Sequence, residues 1–256
     1  MNLPNRHIQN LLDCLTRSRL SFALYRLPWT DECYFVLQQS GDVEQLADIR
    51  ELNKKKGFVM APFLQSDHHP LIVIRPDITA YDWDEISEAI SSLECADALL
   101  TCKNQTEKLS PFVSEETDKE RYTQAFERFI TPLQKKHFQK LVLSRSSTKH
   151  INDDFSPLAA FVRACNNYPR MMIYLCHTPV SGTWVGSTPE ILLSGHGKEW
   201  HTVALAGTMP MQNEVMPMDW DKKNQDEQGY VADYIRRIIK KFGNKMNEKG
   251  PYTARA

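Results

Sequence analysis

The pattern of the sequence is compatible with an α+β protein in which helices are mixed with short strands of an antiparallel or mixed sheet. Several short apolar runs are bounded by turn-forming residues, which is how strands of such a sheet read, while other stretches repeat apolar residues at helical spacing. The composition supplies material for a core. Of 256 residues, 41% are hydrophobic and 10% aromatic, enough for one sizeable domain or two small ones.

In chain order, Ile8, Leu11, Leu12 and Leu15 share one face of a helix, and Ser21–Leu27 follows as a strand. Cys33–Leu37, Gly57–Phe63 and Pro70–Pro76 read as further strands, the last two flanking a polar loop that holds His68 and His69. Adjacent residues on an extended chain point to opposite faces, so these histidines cannot easily share one metal ion, and a solvated loop is expected. From Tyr81 to Asp118 the chain turns polar and punctuated. The division is expected there, with residues 1–112 as an N-terminal part and 113–256 as the region carrying the chemistry. Thr117 or Asp118 is expected to cap a helix bearing Tyr122, Phe126, Phe129 and Ile130, which leads into a strand starting at Lys140.

Pro157–Ala164 reads as a helix and Met171–Cys176 as a buried strand, leading through Ser181–Val185 to a β-hairpin over Gly186–Thr208. In that hairpin the strands are the apolar runs Ile191–Leu193 and Val203–Ala206, joined by the turn-prone Ser194–Gly197. Met209, Met211, Met216 and Met218 fall in a Pro-interrupted loop. A last helix runs from Lys222 to about Phe242, its stripe of Tyr230, Val231, Tyr234, Ile235, Ile238 and Ile239 joined by Glu227.

With 31 basic and 32 acidic residues and a net charge of −1, no global electrostatic case exists for nucleic acid or an anionic membrane. The N-terminus lacks the apolar core of a secretory signal, and no run approaches ~18 uninterrupted apolar residues. A cytoplasmic monomer is expected. Six cysteines, Cys14, Cys33, Cys95, Cys102, Cys165 and Cys176, are scattered without a C-x-x-C pair and read as reduced packing residues.

Four places carry residues suited to chemistry. Glu190 precedes an apolar run, where desolvation would raise a carboxyl's pKa into a proton-donating range; it reads equally as a surface acid beside a turn. Gly207-Thr208 could bring backbone N–H groups close to an anion, or simply end a strand. Lys140 could be a base if its strand face looks into an enclosed site, or a strand-end lysine reaching water. Glu227 is a plausible ligand for a hard cation such as Mg2+, or a helix-start acid favoured by the macrodipole.

Taken together, K-x-V-L-S-R at Lys140–Arg145, G-S-T-P-E-x-L-L at Gly186–Leu193, A-L-A-G-T at Ala204–Thr208 and W-x-x-K-x-x-x-E-Q at Trp220–Gln228 resemble the chorismate-utilising enzymes, most closely the isochorismate synthases. The resemblance is specific from about Asp118 to Gln228. It implies large stacked, mostly antiparallel sheets over a buried cleft with helices outside. It also implies that chorismate is the substrate, water adding at C2 while the C4 hydroxyl departs and Mg2+ binds the ring carboxylate. By resemblance Lys140 activates water, Glu190 protonates the leaving hydroxyl, Glu227 binds the metal, and Gly207 and Thr208, after Ala206, help hold the ring carboxylate.

Relatives that use ammonia usually have glutamine where this chain has Lys140, and those that use a nucleophilic lysine place it where this chain has Ala206. Lysine with alanine points to water. Salicylate synthases share that combination and are the alternative activity; the product would feed menaquinone or siderophore biosynthesis. Family members continue beyond this chain's end with further strands, a substrate-binding histidine and arginine, and a second metal-binding glutamate. A truncated form of a longer enzyme is therefore expected, with Thr253–Ala256 starting a strand; a non-catalytic chorismate-binding fragment is the reading from another class.

Overall fold

The computed structural model describes residues 1–39, 41–93, 115–152, 154–211, 213, 215–243 and 245–254. Its first elements are α1 (Arg6–Leu15), β1 (Ser21–Arg26), β2 (Tyr34–Gln38), β3 (Glu44–Leu46), a 3-10 turn (Ile49–Leu52), β4 (Phe58–Met60), β5 (Leu71–Ile74), β6 (Ile78–Tyr81) and α2 (Asp82–Leu93). Then come α3 (Glu115–Gln134), α4 (Pro157–Asn167), β7 (Met172–Thr178), β8 (Gly182–Thr188), β9 (Ser194–His196), β10 (Glu199–His201) and α5 (Lys222–Ile239). Helices mixed with antiparallel sheets make this an α+β chain.

It divides into two compact units, Met1–Glu107 with Asp153–Pro189, and Lys108–Asn152 with Glu190–Arg255. The expected cut between residues 112 and 113 is linear in sequence, whereas this division is not. Residues 153–189 return to the first unit because β7 pairs along β1, from Phe22↔His177 to Arg26↔Ile173. Without them β1 would present an open edge.

The first unit is a five-stranded antiparallel sheet, β6-β2-β1-β7-β8, and a three-stranded one, β3-β5-β4. Side chains alternate across the central strands as the two-residue period requires. Phe22, Leu24, Phe35, Leu37, Ile173 and Leu175 pack with the apolar faces of α1, α2 and α4. Ala23, Val36 and Cys176 point the other way, against Ile72 and Ile74 of β5. The helix α2 was hidden in the polar stretch after Tyr81; its Ile86, Ile90 and Leu93 form a narrow stripe among acids and serines, and all three are buried. Two polar residues are built into this core. Arg26 is 2% exposed and donates to the carbonyls of Thr30, Tyr168, Pro169 and Met171. His177 is satisfied by Thr183 Oγ1 at 2.9 Å and the Ser18 carbonyl at 3.1 Å.

The second unit departs more from expectation. Helix α3 begins at Glu115, ahead of the caps expected at Thr117 or Asp118. No strand forms over Lys140–Ser144, which lies in irregular backbone. A hairpin does form about Gly197, whose φ of +62° suits a turn, but its arms are the polar β9 and β10 rather than the apolar runs. Outside those arms, Val203 N–H donates to the Ile191 carbonyl at 3.3 Å and Thr202 Oγ1 to the Leu192 carbonyl at 2.9 Å. An apolar run becomes a strand only where a neighbouring strand takes up its backbone donors and acceptors. Among the described residues, none pairs with 140–144, 191–193 or 203–206.

Helix α5 starts where expected and stops at Ile239, short of Phe242. Asp221 caps it, accepting from Asn224 N–H at 2.8 Å. Its stripe is not sealed: Tyr230 and Tyr234 are exposed, and only Asn224 and Ala232 are buried along the helix. Described residues after Gly250 form no strand; Thr253 Oγ1 instead accepts from Trp220 Nε1 at 2.7 Å. Among the described residues, Cys14, Cys33, Cys165 and Cys176 form no disulfide, and burial pushes the thiols of Cys33 and Cys176 up to about 12, as befits packing residues. Cys95 and Cys102 lie outside the described residues.

Candidate active site

All six residues singled out for chemistry, Lys140, Glu190, Ala206, Gly207, Thr208 and Glu227, belong to the second unit. Two of them meet directly. Lys140 Nζ donates to Glu227 Oε1 at 2.8 Å, joining positions 87 residues apart in sequence. The other carboxylate oxygen of Glu227 accepts from Lys223 Nζ at 2.9 Å, one helical turn back on α5. One carboxylate is thus bracketed by two ammonium groups. Hydrogen bonds from Lys140 first, and then from Lys223, hold the Glu227 carboxyl below the usual carboxylate range.

The Gly207-Thr208 turn lies on the first turn of the same helix. Thr208 N–H donates to Asn224 Oδ1 at 3.1 Å. Gly207 has φ +81°, and a Cβ there would stand 3.0 Å from the Asn224 carbonyl, so both the conformation and the close approach require glycine. Asn224 comes one residue after Lys223 and three before Glu227. Helix α5 therefore carries, within two turns, the partners of Lys140 and of the Gly-Thr turn. The half-buried Ala206 precedes that turn, and Gln228 Nε2 reaches the Ala204 carbonyl at 3.4 Å, so the 204–208 segment follows the helix.

Glu190 does not have the surroundings that motivated it. It is exposed, and of the apolar run that follows, Leu192 and Leu193 are 88% and 65% exposed. Glu227 likewise owes its environment to lysines rather than to a buried stripe. Lys140 lies at the edge of an open groove of about 790 Å3, lined also by Phe138, Val142, Tyr230, Tyr234 and Arg237.

Sequence reasoning assigned no role to Lys223, Asn224 or Asp221. Asp221 was legible as an N-cap residue type directly before a periodic segment. Lys223 stood in the W-x-x-K-x-x-x-E-Q motif at helical spacing from Glu227. For Asn224 there was no signal, since a polar residue in a first helical turn is ordinarily solvated.

Mg2+ can be tested against the donor set. A hard divalent cation takes several oxygen ligands, whereas both Glu227 oxygens accept from ammonium groups, and the described residues contain no cluster of three His, Cys, Asp or Glu side chains. The residues as they stand do not fit that ion.

A family model of chorismate binding enzymes matches residues 49–253, well over half of the chain. The chain belongs to the chorismate-binding enzyme family. Membership makes it an enzyme acting on chorismate, a small-molecule substrate, and the match covers every residue of the Lys140–Glu227 and Gly207–Asn224 contacts. No curated protein matches the chain. No helix among the described residues is long and apolar enough to cross a membrane.

Proposed function

We propose that this family member is an isochorismate synthase, moving the ring hydroxyl of chorismate by adding water at C2 and losing the C4 hydroxyl. The observation that carries the reading is the Lys140–Glu227 contact beside the Gly207-Thr208 turn, which unites three of the four motifs. Lysine at 140 and alanine at 206 favour water over ammonia or an enzyme amine as nucleophile.

In this mechanism Lys140, once it has left Glu227 and given its ammonium proton to solvent, takes a proton from water at Nζ as the water oxygen bonds to C2, the ring double bonds shift, and the C4–O bond breaks as Glu190 protonates the departing hydroxyl. One proton is taken and one given, so the net change is an isomerisation. Lys140 reaches water only after exchanging its contact with Glu227, so substrate binding must open that ion pair. The turn at Gly207-Thr208, preceded by Ala206, meets the ring carboxylate; since Thr208 N–H is engaged by Asn224, the Thr208 hydroxyl is the donor we assign. Mg2+ enters through the resemblance alone, with Glu227 as its expected ligand; given the misfit of the donor set, no step is derived through it.

The test is product analysis after incubation with chorismate and Mg2+. Isochorismate from the parent chain, reduced at least ~100-fold in Lys140→Ala and in Glu190→Gln, supports the assignment. Salicylate with pyruvate moves it to a salicylate synthase. Chorismate binding without turnover makes the chain a non-catalytic binder.

A further inference from the structure

We infer that Asn224 is a positioning residue that clamps the Gly207-Thr208 turn to the start of α5, so that the turn and Glu227 are held as one rigid piece. The inference rests on the proposed role of that turn in holding the substrate's ring carboxylate.

Three observations support it. Asn224 is 6% exposed, an unusual place for an asparagine in the first turn of a helix whose apolar stripe is itself open. Its polar atoms are used on two sides: Oδ1 accepts from Thr208 N–H at 3.1 Å, while Nδ2 donates to Asp221 Oδ2 at 2.9 Å. Its backbone N–H donates to the other oxygen of the same aspartate at 2.8 Å. The cap of α5 is therefore continued through the Asn224 amide into the turn. Independently, Gly207 packs its Cα side on the Asn224 backbone, closely enough that a methyl group would meet the carbonyl.

An amide is the side chain that can do this. Asp221 offers only acceptors and Thr208 N–H only a donor, so the residue between them must donate on one side and accept on the other. Leucine would remove the link between the Asp221 carboxylate and the Thr208 N–H, and aspartate would set two carboxylates against each other. Because Asn224 and Glu227 are three residues apart on one helix, fixing the turn to Asn224 also fixes its distance from the Lys140–Glu227 pair.

The experiment compares the parent chain with Asn224→Ala, Asn224→Asp and the exchange double variant Asp221→Asn/Asn224→Asp, in which donor and acceptor swap places. Amide exchange at Thr208 and the chorismate KM and kcat are measured on each, with the thermal midpoint as a check on folding. Expected are about ten-fold faster Thr208 exchange and about ten-fold higher KM in both single variants, through loss of the part-buried hydrogen bond in Asn224→Ala and through repulsion between the carboxylates at positions 221 and 224 in Asn224→Asp, with kcat changed less. The exchange variant should recover both quantities to within about three-fold. Unchanged Thr208 exchange in Asn224→Ala overturns the clamp, as does faster exchange with an unaltered KM. If the parent chain leaves chorismate untouched and unbound, the proposed function fails while Thr208 exchange still decides the clamp: acceleration reversed by the swap supports it, and no acceleration overturns it.

Discussion

The two units of this chain are held together by different physics. In the first, α1, α2 and α4 seal one face of a five-stranded sheet, and the three-stranded sheet covers Ala23, Val36 and Cys176 on the other. In the second, Ala232 is the only buried apolar residue among those described, and Val142, Leu192, Leu193 and Val215 are mostly exposed. Its order comes instead from a cap at Asp221, the Asn224 amide, the Trp220–Thr253 bond and the ion pairs of Glu227. The contrast places the chemically useful residues in the part with least hydrophobic stabilisation, where contacts can be exchanged at small cost.

The comparison can be broken most easily in the first unit. Phe161→Ala removes a fully buried ring and should lower unfolding stability by about 3–5 kcal/mol in denaturant titration. Arg26→Leu, which removes the buried side chain that ties four carbonyls together, two of them (Tyr168 and Pro169) keeping only a backbone donor and those of Thr30 and Met171 losing the guanidinium bond, should cost about 2–4 kcal/mol. A loss below ~1 kcal/mol in either would mean that this core is not the stabilising element.

In the second unit the effects should be smaller. Asp221→Ala removes the cap of α5 and should cost about 1 kcal/mol, with a loss of helical circular dichroism confined to one helix. A double-mutant cycle between Lys140→Met and Glu227→Gln should give a coupling of about 0.2–1 kcal/mol at neutral pH, since both side chains are partly exposed. That coupling has a definite pH dependence. The Glu227 carboxyl is held below its ordinary value of 4.5, so its contribution is complete above about 4.5 and fades as pH falls through the lower folded value. Stability curves of the parent and Glu227→Gln should therefore converge on acidification, and a gap that widens instead would put the cause elsewhere. Smallest of all, Leu192→Ala at 88% exposure should change stability by less than about 0.5 kcal/mol; a cost above ~2 kcal/mol would show that this run is covered after all.

Legibility followed the same division. Helix α1, strands β1, β2, β5 and β7 and helix α4 all lie close to where periodicity put them, because each buries one face in a core and the apolar pattern records that burial. Helix α2 was missed because its three buried residues are too few to stand out among acids and serines. In the second unit, the runs at Lys140–Ser144, Ile191–Leu193 and Val203–Ala206 have the composition of strands but no strand beside them among the described residues, and composition does not report whether a partner strand is present. The site shows the same limit at the scale of single residues. Glu190 was singled out for desolvation by neighbours that are in fact exposed, whereas the pairing of Lys140 with Glu227 across 87 residues was not anticipated.

By itself the sequence determined the α+β mixture, the helices and strands that pack the first unit, and the motif residues that mark a chorismate-binding enzyme, since all of these are written in local spacing and residue type. Only the tertiary structure decided that residues 153–189 return to β1, that Glu227 is shared by Lys140 and Lys223 instead of sitting in a cluster of acids, and that Asn224 links the Gly-Thr turn to the cap of α5. Apart from the Lys223–Glu227 pair, which is one helical turn apart, those are contacts between positions separated in sequence. Their energies depend on which donors, acceptors and charges the folded backbone brings within about 3 Å, a distance that no local pattern encodes.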